Sequence, residues 1–394
     1  MSKTLKPQIR FKGYDGEWTT KSLSEPEFNI QAGGDVDKTL LHTSGEYPVI
    51  ANALTNDGIL GYYDEIYRIK APAISVTGRG DVGIAIPRRI NFTPVVRLLA
   101  LTSPHDIDFL SCAINLHPTV LESTGVPQLT VPKLQSYSIN FPEKKEQKEI
   151  GQYFKLINTQ IKEAEREVDR LEKMKIASLQ KMFPRPGATT PEIRFAGFSE
   201  PWKESTFGEI CSFSRGQGYT KSDLRKSGVP IFLYGRLYTS YSSYVKEVDT
   251  FSYMTSSAVK SKGSEVVMPS SGETAEDIAV ASAILSPGII LGGGLNILNP
   301  NKNMDSVFLA LMLTYGQPHY DVANRAQGKS VVHIYNDDIK QTSLMYPSLD
   351  EQRAIGEYFR NLDELIVAKR KSIVKLRNIK KACLSKMFVN DTEL

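Results

Sequence analysis

Between positions 150 and 182 the apolar side chains recur at alternating steps of four and three: Ile150, Phe154, Ile157, Ile161, Ala164, Val168, Leu171 and Met182, slipping only at Lys175 and Ser178. A second series follows the same register: Ile355, Phe359, Leu362, Ile366, Ile373, Leu376, Cys383 and Met387, interrupted by Lys369 and Lys380. A seam of this period holds one face of a helix against a partner helix. It predicts two long helices, over 142–183 and 347–388. Pro142 and Pro347 open them, where a missing N–H costs nothing, and neither contains an internal proline. At about 1.5 Å per residue each is a rod of roughly 60 Å, too long to stand alone. Antiparallel pairing of the two seams is the simpler geometry, because a whole domain and a linker separate them in the chain. Two helices each packed on its own domain is the alternative that the pattern leaves open.

Outside the rods the apolar runs are short and punctuated by Gly, Pro and Asn. YPVIANA, APAISVT, GIAIP and VVRLLAL in the first half, and VPIFLYG, EVVMPSS, IAVASAIL and GIILGG in the second, read as strands. With some helix between them they predict two mixed α+β globules. The chain then divides into a first domain (1–141), a long helix (142–183), the linker PRPGATT (184–190), a second domain (191–346), a second long helix (347–388) and a short tail (389–394). No charge occurs between Asp277 and Lys302, a length that could span a bilayer. Pro287, Gly288, the glycines 292–294, Asn296 and Asn299 would break a lipid-exposed helix repeatedly, so this stretch is read as two buried strands with turns.

The most informative pattern is internal repetition. PQIRFKGYDGEW (7–18) returns as PEIRFAGFSEPW (191–202), and both tryptophans of the protein lie in these copies. The block 141–183 returns as 346–388 without a gap, identical at 15 of 43 positions. The identities include Pro142/Pro347, Glu146-Gln147/Glu351-Gln352, Gly151/Gly356, Tyr153-Phe154/Tyr358-Phe359 and the closing Lys-Met-Phe. The material between the blocks differs in length, 122 residues against 143, and looks little alike. A duplicated frame thus carries two different domains, related on the helix pair by an approximate two-fold axis.

Composition narrows the class. With 394 residues, 41% hydrophobic and 23% charged, the chain is folded and large enough for two or three domains. Its net charge of +4 says little about partners. The distribution says more: the two rod segments sum to +7 and the remainder to −3. Such a basic frame suits phosphates or acidic protein surfaces. Cys112, Cys211 and Cys383 show no metal or disulfide spacing. They favour a reducing cytoplasm, and positions 1–16 lack the apolar core of a signal peptide.

Catalytic motifs are missing. The sequence holds no Walker lysine, no GxSxG, no HExxH and no Asn-Pro-Pro-aromatic motif. Gly78, Gly80 and Gly83 match GxGxxG, but GIAIPRR continues as strand where a dinucleotide site needs a helix. A tight glycine turn is the better reading. His105, Cys112 and His117 read as separate core or surface residues. What recurs is basic and aromatic side chains beside glycine, the chemistry that meets phosphates and base edges. The candidates are Arg79, Arg88, Arg89 and Arg97 in the first domain, and Arg215, Tyr219, Lys221, Tyr234, Arg236, Tyr238 and Lys329 in the second. Spacing or partner docking falls to Ile150, Phe154, Ile157, Ile161, Leu171, Ile355, Phe359, Leu362, Ile366 and Leu376. On residues alone, a coiled-coil adaptor with two divergent protein-binding domains fits the same frame, and the absent motifs weigh against a self-contained enzyme.

The opening PxIRFxG(Y/F)xxxW of each half, PSLDEQ with Ile355-Gly356 at the head of the second rod, Lys-Met-Phe closing both rods, and two unequal domains between them together resemble the specificity (S) subunits of type I restriction-modification enzymes. The first rod departs slightly, reading PEKKEQ. The resemblance spans the whole chain, and the domains match only in kind. It implies two target recognition domains, each reading half of a bipartite, asymmetric site in double-stranded DNA. It further implies an antiparallel coiled coil that sets the spacing and docks methyltransferase subunits, two in number, with restriction/translocase subunits beyond. S-adenosylmethionine, ATP and Mg2+ belong, by this resemblance, to those partners and not to this chain, which is non-catalytic.

Overall fold

The computed structural model describes residues 5–118, 127–185, 187–328 and 331–389. The chain divides into two compact units, one of residues 1–166 together with 370–394, the other of residues 167–369. Two long helices, Lys144–Lys181 and Leu349–Met387, each contribute to both. All eight apolar segments named above contain a strand. In VVRLLAL the strand starts only at Leu99, because the chain turns at Arg97, whose φ is +72°.

In the first unit, strands Asn29–Ala32, Leu99–Thr102, Ala73–Val76 and Ala85–Arg88 form an antiparallel sheet in that order. Helix Ile107–Leu116 covers it, with Phe109 and Leu110 buried against Ile74, Val76, Leu99 and Leu101. The Asp106 carboxylate accepts the first free N–H groups of that helix, the usual remedy for an unpaired helix start. A smaller sheet joins Tyr47–Ile50 to Ile59–Tyr63 and Thr93–Pro94. The repeated motif closes the unit. Arg10 donates to both carboxylate oxygens of Glu146 at 2.8 and 2.6 Å, and Gln147 Nε2 donates to Pro142 O at 2.9 Å. Trp18 meets Phe109 and Phe388 edge-on, and Ile9 N donates to Lys386 O at 2.9 Å. Along the seam Ile150, Phe154, Ile157, Ile161, Ile373 and Met387 are buried and Leu376 half-buried, while Tyr153 Oη lies 3.2 Å from Cys383 Sγ.

The second unit repeats this frame with other contents. Arg194 donates to both oxygens of Glu351 at 2.8 and 2.6 Å, and Gln352 Nε2 to Pro347 O at 2.9 Å. Trp202 meets Phe308 and Phe183 edge-on, and Ile193 N donates to Lys181 O at 3.0 Å. Tyr358 Oη faces Ser178 Oγ at 3.0 Å, the position equivalent to Cys383. Val168, Leu171, Leu179, Met182, Ile355, Phe359, Leu362 and Ile366 are buried. Three of the four slips in the apolar series are filled by cross-helix polar pairs: Lys175 with Asp363 at 2.6 Å, Ser178 with Tyr358, and Lys369 with Glu167 at 2.9 Å. Above this frame, strands Cys211–Arg215, Leu295–Pro300, Glu265–Pro269, Ser282–Ile284 and Tyr244–Val245 form a five-stranded sheet. A four-stranded sheet holds Phe251–Ser252, Val229–Phe232, Pro287–Leu291 and Lys260–Lys262. The uncharged stretch after Asp277 forms three strands, not the two expected, because Gly294, at φ +78°, turns the chain once more before Leu295–Pro300. Among the described residues no helix is long and apolar enough to cross a membrane.

Candidate nucleic-acid interface

The glycine run after Ala73–Val76 is a turn, as expected, since it leads into the antiparallel strand Ala85–Arg88 and not into a helix. Thr77 holds it: its hydroxyl donates to Asp81 O and accepts from Ile84 N. Gly80 and Gly83 supply the positive φ values of 76° and 86° that the turn requires. Arg79 is exposed at this turn, with its backbone bridged to Gln128. Asn52 clips it to a neighbouring loop: its Oδ1 accepts from Gly78 N at 2.8 Å and its Nδ2 donates to Val96 O at 3.0 Å. Arg97, also exposed, follows. The contact is so close that a Cβ on Gly78 would lie 2.1 Å from Arg97 O.

The other two arginines proposed for this unit are not brought to that tip. Arg88 Nε donates to Ser75 Oγ at 2.8 Å and its Nη1 to Asp57 O at 3.0 Å, and burial lowers its guanidinium pKa. Arg89 grips the Asp108 carboxylate at 2.5 Å. Asp57 in turn receives Lys162 from the long helix at 2.6 Å, which holds its carboxyl below the usual range.

In the second unit two glycine loops meet backbone to backbone. Gly293 N donates to Gly218 O at 2.6 Å, and a Cβ on Gly216 would fall 1.9 Å from Gly292 O. Tyr234 lies against Gly294, where a Cβ would sit 2.7 Å from its ring, and its ring meets Tyr238 edge-on at 6.3 Å. Tyr238 donates to Ser271 O at 2.7 Å, and burial, aided by Asp277, pushes its phenol pKa up. These two tyrosines line a cavity of about 510 Å³ with Ser271, Gly272, Asp277 and Val331. Nearby, Tyr219, at φ +53°, places its hydroxyl 3.0 Å from both Tyr253 O and Thr255 Oγ1. Lys221 is exposed at the start of a short 3-10 turn. Arg215 extends over the Tyr335 ring at 5.5 Å. Arg236 is engaged by Asp249, whose carboxyl it holds below the usual range. Lys329 and the tail beyond Val389 lie outside the described residues.

Asn52, Gln128, Tyr253 and Tyr335 were not singled out from the sequence. The asparagine closing the apolar run YPVIAN and the tyrosines spaced among basic residues were the available signals. His105, Cys112 and His117 each sit in separate surroundings. His105 has Nδ1 3.0 Å from Gln147 Oε1 and Nε2 3.2 Å from Glu27 Oε1, and stacks on Phe28. The buried Cys112 thiol is pushed up to about 12 by burial. His117 stacks on Tyr137 at 3.8 Å. Among the described residues no three His, Cys, Asp or Glu side chains converge as a metal set. The candidate residues therefore fall into two dissimilar loop clusters, one in each unit. One offers Arg, Asn and Gln; the other is rich in tyrosine with scattered cations.

Comparison with known proteins matches residues 16–172 and 199–377 to the family described as "Type I restriction modification DNA specificity domain". A type I specificity subunit of Mycoplasma pneumoniae, "S.MpnORF289P C-terminus", is 30% identical over 91 residues, 23% of this chain and 63% of that protein. The "Type I restriction enzyme MjaVIII specificity subunit" of Methanocaldococcus jannaschii is 20% identical over 293 residues, 70% of this chain and 68% of that protein. The chain thus spans about two thirds of the length of these curated relatives. A solved type I restriction-modification S subunit from M. genitalium superimposes with a TM-score of 0.67 at 18% identity, covering 98% of this chain and all of that one, which establishes a shared fold.

Proposed function

The chain belongs to the type I restriction modification DNA specificity family, and from that premise we propose that it is the subunit that chooses the DNA sequence for a restriction-modification complex. Each globule reads one half of a bipartite, asymmetric duplex site. The two long helices pair as an antiparallel coiled coil with pseudo-two-fold symmetry, set the unread gap and dock two methyltransferase subunits. Restriction/translocase subunits join that core in the cytoplasm. S-adenosylmethionine, ATP and Mg2+ serve the partners' chemistry, and this chain supplies selection and geometry.

The observation that carries this reading is the use of one frame twice under two different loop clusters. Arg10–Glu146 and Arg194–Glu351 have the same bidentate distances, yet one unit presents Arg79, Arg97 and Gln128 while the other presents Arg215, Tyr219, Tyr234 and Tyr238. Two copies of one scaffold with unlike tips suit a divided, asymmetric target. The pairs Lys175–Asp363, Lys369–Glu167 and Arg377–Glu165 support antiparallel pairing, since the later partner in one helix always meets the earlier in the other. The test is a mobility-shift assay with a randomised duplex pool, using the full chain purified with its methyltransferase subunits. A shift enriched for one split motif supports the reading, and a shift without sequence preference refutes it.

A further inference from the structure

Among the described residues four that are not glycine have positive φ: Asn56, Asp57, Arg97 and Tyr219. Asn and Asp tolerate this conformation, and Tyr219 is anchored through its hydroxyl. Arg97 differs. Its side chain is exposed, and no described residue hydrogen-bonds or ion-pairs with its guanidinium. The backbone on either side of it, by contrast, is fixed at several points. Val95 N donates to Ile50 O at 2.8 Å, Gly33 N to Leu98 O at 2.7 Å and Leu98 N to Val95 O at 3.0 Å. Asn52 Nδ2 holds Val96 O, and its Oδ1 ties the same loop to Gly78. A strained conformation persists only where its surroundings over-determine it, and such positions concentrate at sites that need orientation.

We propose that Arg97 is a specificity-determining residue of the first unit, its guanidinium fork reading the O6 and N7 acceptors of a guanine in that unit's half-site, with Asn52 as its positioning residue. This rests on the DNA-specificity reading above. A phosphate contact needs only positive charge within reach, which any arginine on a relaxed loop supplies. A bidentate base contact needs the planar fork at one angle, and that requirement is what a fixed backbone meets. Gly78, lacking a Cβ, lets this turn pack directly against the Arg97 carbonyl, and the exposed Gly80, with only Asn52 O near where a Cβ would sit, leaves room for the duplex to approach.

The experiment sequences the duplexes selected from a randomised pool by the full chain with its methyltransferase subunits. It compares wild type with Arg97→Gly, Arg97→Lys and Asn52→Ala, alongside melting curves. Wild type should demand a G·C pair at one position in one half-site. Arg97→Gly and Arg97→Lys should both lose that demand, with discrimination falling about 5- to 150-fold, while the other half-site stays intact. Asn52→Ala should relax the same position. Arg97→Gly should melt at or above the wild-type temperature, because glycine adopts this φ without strain. Should Arg97→Gly fail to fold, Arg97→Lys, which keeps the charge, decides alone. Retained discrimination in Arg97→Lys, with Arg97→Gly losing only overall affinity and showing a shallower salt dependence, would reduce Arg97 to a phosphate contact and overturn the inference. A selective wild type with unaltered variants overturns it as well, leaving the family reading standing. A wild type with no selectivity overturns that reading itself.

Discussion

Deleting the guanidinium of Arg194 measures how much the repeated frame contributes. Glu351 has a side chain 2% exposed and Arg194 one 14% exposed, joined by two hydrogen bonds at 2.8 and 2.6 Å. Arg194→Met leaves that carboxylate out of water without its counterion, and removing one member of a buried pair costs about 3–5 kcal/mol. Glu351→Gln leaves the more exposed partner, which keeps part of its hydration, so its cost is smaller, about 1–3 kcal/mol. The double variant is then more stable than Arg194→Met alone, because no orphaned charge remains. Lys181–Glu192, with side chains 43% and 46% exposed, provides the reference, since exposed pairs contribute only about 0–1 kcal/mol. Urea denaturation can be followed by Trp202 fluorescence in a Trp18→Phe background, because Trp202 packs on Phe308 and Phe183 within the same unit. A loss below about 1 kcal/mol for Arg194→Met, or a double variant equal to the sum of the singles, would refute the argument.

The two copies of the frame should respond differently to the same substitution at equivalent glycines. A Cβ on Gly151 would fall 2.0 Å from Asp106 Oδ1, the cap of helix Ile107–Leu116, whereas on Gly356 it would lie 3.1 Å from Asp305 Oδ1. Gly151→Ala therefore costs about 1–3 kcal/mol and Gly356→Ala about 1 kcal/mol or less; equal losses in urea titrations would contradict this. In the seam, Lys175→Met should destabilise the second unit by about 1–3 kcal/mol, while Lys175→Met with Asp363→Leu should return to within about 1 kcal/mol of wild type. A double variant no better than the single would show that Asp363 is not Lys175's effective partner. Acid titration tests the first unit: Lys21, and then His105, hold the Glu27 carboxyl below its ordinary value. A depressed folded pKa stabilises above the unfolded value, about 4.3, and that stability is lost as pH falls through the folded value. Lys21→Met should move the acid midpoint, read by Trp18 fluorescence, to higher pH, and an unmoved midpoint would count against the linkage.

The frame is legible in the sequence because it is written in local terms. The seam from Ile150 onward needs only its own period, and the copies at Arg10 and Arg194 needed only comparison with each other. What stays hidden is the partner of each polar residue in that pattern. Lys175, Ser178 and Lys369 break the apolar series, and nothing nearby explains them, since Asp363, Tyr358 and Glu167 stand 188, 180 and 202 residues away. The late start of the strand at Leu99 has the same origin. VVRLLAL is an unbroken β-former by composition, and the turn at Arg97 is imposed by hydrogen bonds from Gly33 and Asn52, residues that no window around Arg97 includes.

The candidate interface was legible in residue type and illegible in selection. Arg79, Arg88 and Arg89 are equivalent as letters, yet register decides among them: Ser75 stands opposite Ile86, which puts Arg88 on the same sheet face and within reach of its hydroxyl. Arg79 lies at the turn between those strands and so remains exposed. The tip of the first unit is assembled from residues near 52, 79, 97 and 128, one from each of four loops, and it contains no linear motif. None of those loops supplies Arg10, Trp18, Glu146 or Phe154, on which the packing of the unit depends. On the reading proposed above, selection and stability rest on separate residues. A substitution at the tip is then expected to redirect recognition at little cost in folding, whereas one in the frame unsettles the whole unit, and such a separation would allow a duplicated frame to hold two units as unlike as these.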